Sequence, residues 1–288
     1  MHTFNLFQQL RIQGWVAVTL YGFFGLFLNR LGGPDLTFFL LLVSLFLANG
    51  FAYVYNDYHD APFDKLDPLK AKRNPFCGDD PRKLLIGRIV LVGTPLLSSL
   101  LALFVPFKCA VWVFAVLFLM YIYSSPHFRG KERPFWDWFI HIFWIVLNFV
   151  PGHLYFFGPD LLFYFLAAIV GLNSLIAQIN NELNDFSVDA MSKHRTTALV
   201  LGKRNTFYVQ WGLEILLFGL SAYLAFVSRY PAVFAVLVLS YLYYTWVERI
   251  TALDRIEGLR EFVRFRSGHL VTLWLAVWLM EAGLRELV

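Results

Sequence analysis

Charge is scarce in this chain of 288 residues: Asp, Glu, Lys and Arg make up 15% of it, against roughly a quarter in soluble domains. Cysteine is scarcer still. Cys77 and Cys109 are the two present, enough for one bridge at most, and neither has a Cys or His neighbour at metal-ligand spacing. Both are read as free thiols, which excludes a disulfide-stapled scaffold and a zinc module. No stretch is polar enough to read as a soluble domain. Near the N-terminus no short apolar core precedes a small-residue cleavage site, so the first apolar run is expected to be retained as a helix. Secreted and nucleic-acid-binding classes drop out, and no nucleic acid is expected among the partners.

What fills the chain is apolar: 58% hydrophobic and 19% aromatic residues, with a mean hydropathy of +0.58. Bounded by charge, Pro or Gly, the apolar runs number nine: 12–29, 36–58, 84–105, 107–123, 135–157, 161–183, 206–228, 231–248 and 268–284. Most match the roughly 17–25 residues that cross a bilayer as helix. They are apolar on every face and lack the ten-residue alternation of barrel strands, so helices are the spanning structure that satisfies the backbone. The expected fold is an all-α integral membrane protein with nine transmembrane helices in a single bundle, one domain over 1–288.

The charges sort by side. Nineteen of the 24 Lys and Arg residues fall in the N-terminal segment and in the 2–3, 4–5, 6–7 and 8–9 loops. Basic loops stay cytoplasmic, which predicts a cytoplasmic N-terminus, an outer C-terminus and, in a prokaryote, the plasma membrane. The net charge of +4 suits anionic headgroups or an anionic substrate. Between the last two spans, Leu253, Ile256, Leu259 and Val263 recur near helical spacing among Arg and Glu, predicting an interfacial amphipathic helix over 251–267.

Span two ends in Asn56, Asp57, Asp60 and Asp64, an NDxxDxxxD pattern. Asn56, Asp60 and Asp64 stand at i, i+4 and i+8, one face of a continuing helix, and Pro62 is placed to kink that turn and re-aim Asp64. Like charges at this spacing repel and are costly beside hydrocarbon, so they call for a cation. Mg²⁺ prefers oxygen ligands and binds through one or two carboxylates plus substrate phosphates. Span six ends alike: Gln178, Asn181 or Glu182, Asp185 and Asp189 form a polar stripe on a helix that is apolar upstream. Both clusters emerge on the predicted cytoplasmic side, each followed by a basic loop. That pairing suits a metal-bound polyanion such as a diphosphate. His141 and Asn148 in span five are read as hydrogen-bonded core groups, and the 31 Phe, 14 Tyr and 9 Trp as packing, interfacial belt and a cavity wall.

These residues resemble the UbiA superfamily of intramembrane prenyltransferases across nearly the whole chain: the first motif after span two, Asp185 to Asp189 after span six, and Tyr123, Ser124, Ser125 and Pro126 leading to Arg129, Lys131, Pro134 and Asp137 after span four. The resemblance implies a central cavity opening to the membrane, an isoprenyl diphosphate donor, an apolar acceptor drawn from among membrane lipids, quinone precursors or carotenoids, and Mg²⁺, as two ions. It assigns the metal to Asn56, Asp57, Asp60, Asp64, Asn181, Asp185 and Asp189, with Asp60, Asp64, Asp185 and Asp189 central to catalysis. It assigns the diphosphate to Lys72, Arg73, Tyr123, Ser124, Arg129, Lys131 and Lys193. Two departures stand out: Asn74 interrupts the Arg-Pro pair that many members carry, and the second motif lacks a third acid, leaving its metal to Asn181 or Glu182. A cation-coupled transporter using the same acids, or a non-catalytic lipid-binding protein, are the alternatives from other classes.

Overall fold

The structure, a computed structural model, describes residues 9–23, 33–65, 68–192 and 195–227. Helix α1 spans Ile12–Thr19 and tightens into a 3₁₀ turn, Leu20–Phe23. Next come α2 (Leu36–Asp64), the short α3 (Pro68–Arg73), α4 (Pro81–Ala102), α5 (Phe107–Ser124), a 3₁₀ turn at Gly130–Glu132, α6 (Trp136–Phe156), α7 (Leu161–Ser192), the short α8 (Thr197–Leu201) and α9 (Lys203–Val227). The described residues form helices and connecting turns. Five helices, α2, α4, α5, α6 and α7, are long and apolar enough to cross a membrane.

Spans two to seven each coincide with a helix. The second and sixth run past their predicted ends, to Asp64 and Ser192. There the helix continues through the polar motif because the stripe keeps helical spacing. Pro62 lies inside α2 without ending it. The run at 12–29 is not one uninterrupted helix: Thr19 Oγ1 turns back onto the Trp15 carbonyl at 2.7 Å, and the next turn is 3₁₀, a local competition that Ser and Thr bring to helix ends. The runs at 231–248 and 268–284 and the amphipathic segment at 251–267 lie outside the described residues.

Local signals set the helix ends. Asp35 caps α2 by accepting from Phe38 N–H at 2.8 Å, and the Tyr155 hydroxyl of α6 donates to the same carboxylate at 2.6 Å. Those bonds hold the Asp35 carboxyl below the usual range. Asp80 caps α4 with Pro81 in its first turn, the position where a missing N–H costs nothing.

In a bilayer the lipid tails are as apolar as the core, so close packing and interhelical hydrogen bonds hold the bundle. Helix α2 is its centre, packed against α4 and α5. Leu41, Leu45 and Ala48 interlock with Val113, Val116 and Met120 of α5 and Ile140 of α6. A second cluster joins Phe149 of α6 to Phe163, Leu166 and Ile169 of α7. Where α2 meets α4, Ser44 Oγ donates to the Ser98 carbonyl at 2.7 Å and Ser98 Oγ donates back at 2.8 Å. Small hydroxyl residues allow that approach. On the outer face of α4, Leu85, Ile89, Val92, Leu96 and Leu100 are exposed, a stripe at helical spacing that suits lipid.

Candidate active site

Three connections and both acidic motifs meet at one end of the bundle. On α2, the Asn56 amide donates to Asp60 Oδ2 at 2.9 Å. Its carbonyl oxygen accepts from Ser124 Oγ at the end of α5, 3.0 Å away, and from Lys131 Nζ at 2.9 Å. Lys131 also forms an ion pair with Asp60. The end of α5 and the turn after it thus deliver Ser124 and Lys131 onto the face that carries the first motif. Burial pushes the Lys131 ammonium down from the ordinary lysine range, with the charge of Asp60 opposing it. Tyr123 packs beside Ser124 against the α2–α5 core. Arg129 forms an ion pair with Glu132 and lies over the Phe63 ring, 5.4 Å from its centre, at the level of Asp60 and Asp64.

The connection after α2 folds back over the same end. Lys70 Nζ reaches Asp185 Oδ2 on α7 at 3.1 Å, so a cation from the loop behind the first motif lands on the second. Asn74, the residue that interrupts the Arg-Pro pair, donates to the Asp57 backbone carbonyl at 2.7 Å and to Asp64 Oδ2 at 2.8 Å, and accepts from Phe76 N–H at 2.9 Å. It fastens the loop to the motif. Lys72 and Arg73 sit exposed at the end of α3. Cys77 donates weakly to the Ala61 carbonyl at 3.5 Å, and burial pushes its thiol up to about 11. Both cysteines are free thiols, as their spacing implied.

Asp57 behaves differently from its neighbours. It is 2% exposed and faces Arg11 Nη1 at 3.5 Å, while the Arg11 guanidinium also covers the Tyr53 ring at 4.6 Å. The N-terminal segment therefore neutralises Asp57 from the side.

The second motif divides as well. Glu182 is buried, accepting from Gln178 Nε2 at 3.0 Å and from Ala198 N–H at 2.9 Å. Asp137 of α6 accepts from Thr197 N–H at 2.7 Å, from Trp138 N–H at 2.8 Å and from the Thr197 hydroxyl. Two carboxyl groups from two helices thus hold the first turn of α8, where N–H groups lack helical partners. With both Glu182 oxygens so engaged, the exposed Asn181 is the member of that pair open to the site. Asp185 and Asp189 follow on α7, both partly exposed. Lys193 lies outside the described residues.

Asn56, Asp60, Asp64, Asn181, Asp185 and Asp189 offer only oxygens, a donor set that fits a hard cation such as Mg²⁺. Among the described residues no three His, Cys, Asp or Glu side chains crowd into a group able to hold a metal ion. An ion held here would complete its shell with water and substrate phosphates, which is the habit of Mg²⁺. Lys70, Asn74, Arg11 and Asp137 are site residues whose contacts no local pattern foretold, since each bond links residues distant in sequence. Asn148 is a hydrogen-bonded core group as expected, paired with Asn49 at 2.8 Å, whereas His141, hydrogen-bonded through Nδ1 to Ser174 Oγ at 2.9 Å, stays partly accessible.

Comparisons with known proteins bear on the fold and the family. The chain is 29% identical over 173 residues to a lycopene elongase/hydratase of Haloferax volcanii, covering 56% of this chain and about half, 52%, of that relative. Its fold is similar to that of a UbiA homologue from Archaeoglobus fulgidus bound to DMAPP and Mg²⁺, with a TM-score of 0.73, 17% identity, and 94% and 96% of the two chains covered. The same homologue bound to GPP and Mg²⁺ aligns with the same TM-score of 0.73 at 18% identity and the same coverage of both chains. The fold is also similar to digeranylgeranylglyceryl phosphate synthase, with a TM-score of 0.66, 14% identity, and 96% and 97% covered. The model of the UbiA prenyltransferase family matches residues 16–280, and the chain belongs to that family.

Proposed function

We propose that this prenyltransferase ionises an isoprenyl diphosphate at the Asn56–Asp60–Asp64 and Asp185–Asp189 end of the bundle and joins the prenyl carbon to an apolar acceptor lying in the membrane. The observation that carries the reading is the contact of Lys70 with Asp185, together with that of Lys131 with Asp60. Loop cations reach both acidic motifs, so carboxylates and cations alternate where a diphosphate and its metal would be neutralised.

Two Mg²⁺ ions held by Asn56, Asp60, Asp64, Asn181, Asp185 and Asp189 would neutralise charge on the departing diphosphate, while Asp57, expected among these ligands, is instead buried against Arg11. Lys131, Arg129, Lys72, Arg73 and Lys193, with the hydroxyls of Tyr123 and Ser124, take the diphosphate oxygens. Their stabilisation grows as the C–O bond breaks, which is where it lowers the barrier. Asn56 orients Asp60 by donating to it. Apolar walls keep water from the allylic cation.

Chain 1–288 is read as one polytopic unit, with the N-terminus and the site at the cytoplasmic face. A carotenoid-like polyene is the favoured acceptor class, ahead of an aromatic quinone precursor or a glycerol-phosphate lipid, because the Haloferax volcanii relative is named for lycopene elongation. The test is a product screen. Purified protein, Mg²⁺ and geranylgeranyl diphosphate are incubated with lycopene, with 4-hydroxybenzoate or with a total lipid extract, and products are read by mass spectrometry. A prenylated polyene supports the favoured acceptor, a prenylated arene or lipid replaces it, and no prenylated product in any arm overturns the transfer reading.

A further inference from the structure

Prenyl transfer to an apolar acceptor leaves positive charge on it, and where that charge is discharged by loss of a proton, a site that excludes water must supply somewhere for the proton to go. Helix α6 carries a base in a suitable place. His141 Nδ1 lies 2.9 Å from Ser174 Oγ on α7, and the Ser174 hydroxyl donates its one proton to the His141 backbone carbonyl at 2.8 Å. Ser174 Oγ is thereby left only as an acceptor toward the ring, so the ring proton is on Nδ1 and the lone pair on Nε2.

Nε2 has no hydrogen-bond partner among the described residues, yet it is absent from the buried polar atoms that lack one, so it keeps accessible surface. The side chains around it behave alike. Tyr53, Tyr123 and His141 are all partly accessible. Trp144 joins them, edge-on to His141 at 5.4 Å and to Tyr53 at 5.6 Å. Below Trp144 a seam of Asn49, Asn148 and Thr19 closes the space: Trp144 Nε1 donates to Asn49 at 3.0 Å, and Asn49 donates to Thr19 at 3.1 Å.

The level of His141 follows from the helices. Helix α2 ends, and α6 begins, at the same end of the bundle, so the two run antiparallel with Tyr53 opposite Trp144. Three residues up each helix, Asn56 stands level with His141. His141 thus stands among aromatic side chains at the height of Asn56, the innermost residue of the first motif, beside the end where the proposed reaction takes place.

We infer that His141 is a catalytic residue, the base that takes the acceptor's proton after the new C–C bond forms. The inference rests on the prenyl-transfer reading. The allylic C–O bond breaks with its electron pair going to diphosphate, and acceptor π electrons form the bond to the prenyl carbon. The charge left on the acceptor is discharged when Nε2 takes a proton from the adjacent carbon, whose C–H electron pair becomes the new double bond. Edge-on contact with Trp144 and the Ser174 bond hold the ring in register, and the proton leaves when product release admits water.

The test separates this step from ionisation. Geranylgeranyl diphosphate labelled in the prenyl chain is turned over with Mg²⁺ and a total lipid extract as acceptor pool, by wild type, His141→Gln, Ser174→Ala and Ser174→Thr. Diphosphate release and the fate of the label are measured together. Expected is release within about threefold of wild type for His141→Gln, while deprotonated prenyl adduct per diphosphate falls at least tenfold and label moves to geranylgeraniol or a hydrated adduct. Ser174→Ala moves the ratio the same way by less, and Ser174→Thr, which keeps the hydroxyl, restores it. An unchanged ratio in His141→Gln overturns the inference and leaves the proton to the diphosphate. A parallel fall of release and adduct also overturns it, by making His141 a packing residue. A wild type that releases no diphosphate overturns the transfer reading itself.

Discussion

Lys70, on the short helix behind the first acidic motif, places its ammonium 3.1 Å from the carboxylate of Asp185 in the second. The two residues are 115 apart in sequence, and their contact ties the segment behind the first motif to the second. Both side chains are substantially exposed, so the pair adds little to stability. Lys70→Met is expected to leave the thermal midpoint nearly unchanged, within about 0.5 kcal/mol. Its kcat/KM for the prenyl diphosphate is expected to fall at least tenfold, mainly through KM. Steady-state kinetics beside a melting curve reads both.

Lys131 stands on Asn56 and Asp60, both assigned to the metal. An ammonium there competes with Mg²⁺ in the empty site and serves the diphosphate in the filled one. Lys131→Met is therefore expected to bind Mg²⁺ more tightly in calorimetry without donor, while turnover with donor falls at least tenfold. A variant with weaker Mg²⁺ binding and normal turnover would contradict that double role.

Asp137 and Glu182 hold the first turn of α8 from two different helices. Replacing Asp137 by Ala strands a buried N–H and a buried hydroxyl of Thr197, a loss of about 1–3 kcal/mol for each unsatisfied group. The expected result is a lower thermal midpoint, measured by fluorescence melting, and reduced activity because the segment following the second motif loses its anchor. Glu182→Gln, which keeps an acceptor toward Ala198, is expected to lose less.

Much of this was legible in the chain. Polar positions at i, i+4 and i+8 share one face only on a continuing helix, and the structure carries α2 past the expected end at 58 to Asp64 and α7 past 183 to Ser192. The roles of Asp137 and Glu182 were not legible, because their bonds to residues 197 and 198 join distant segments and leave no periodic trace. Glu182 shared the spacing of a ligand, and only its hydrogen bonds, one to Gln178 on its own helix and one to Ala198 of α8, show both oxygens engaged. Asn74 read as an interruption of a pattern, yet its amide fastens the loop to Asp57 and Asp64.

Cys77 offers a check on the electrostatics beside Asp64. Burial first, and then the negative charge of Asp64, raise its thiol to about 11. The thiolate is the reactive form, so maleimide labelling of a Cys109→Ala protein is expected to be slow at pH 7 and to keep accelerating through pH 10. A rate that levels off near pH 9 would show an ordinary thiol and a less enclosed loop.

The most direct measurement is diphosphate release from geranylgeranyl diphosphate by the purified protein with a total lipid extract, with and without Mg²⁺, beside Asp60→Asn and Asp185→Asn. The account predicts release that needs Mg²⁺ and falls at least a hundredfold in either variant, since each removes a charge from one of the two motifs that must act together. Release that persists without Mg²⁺, or that survives in either variant, would contradict it.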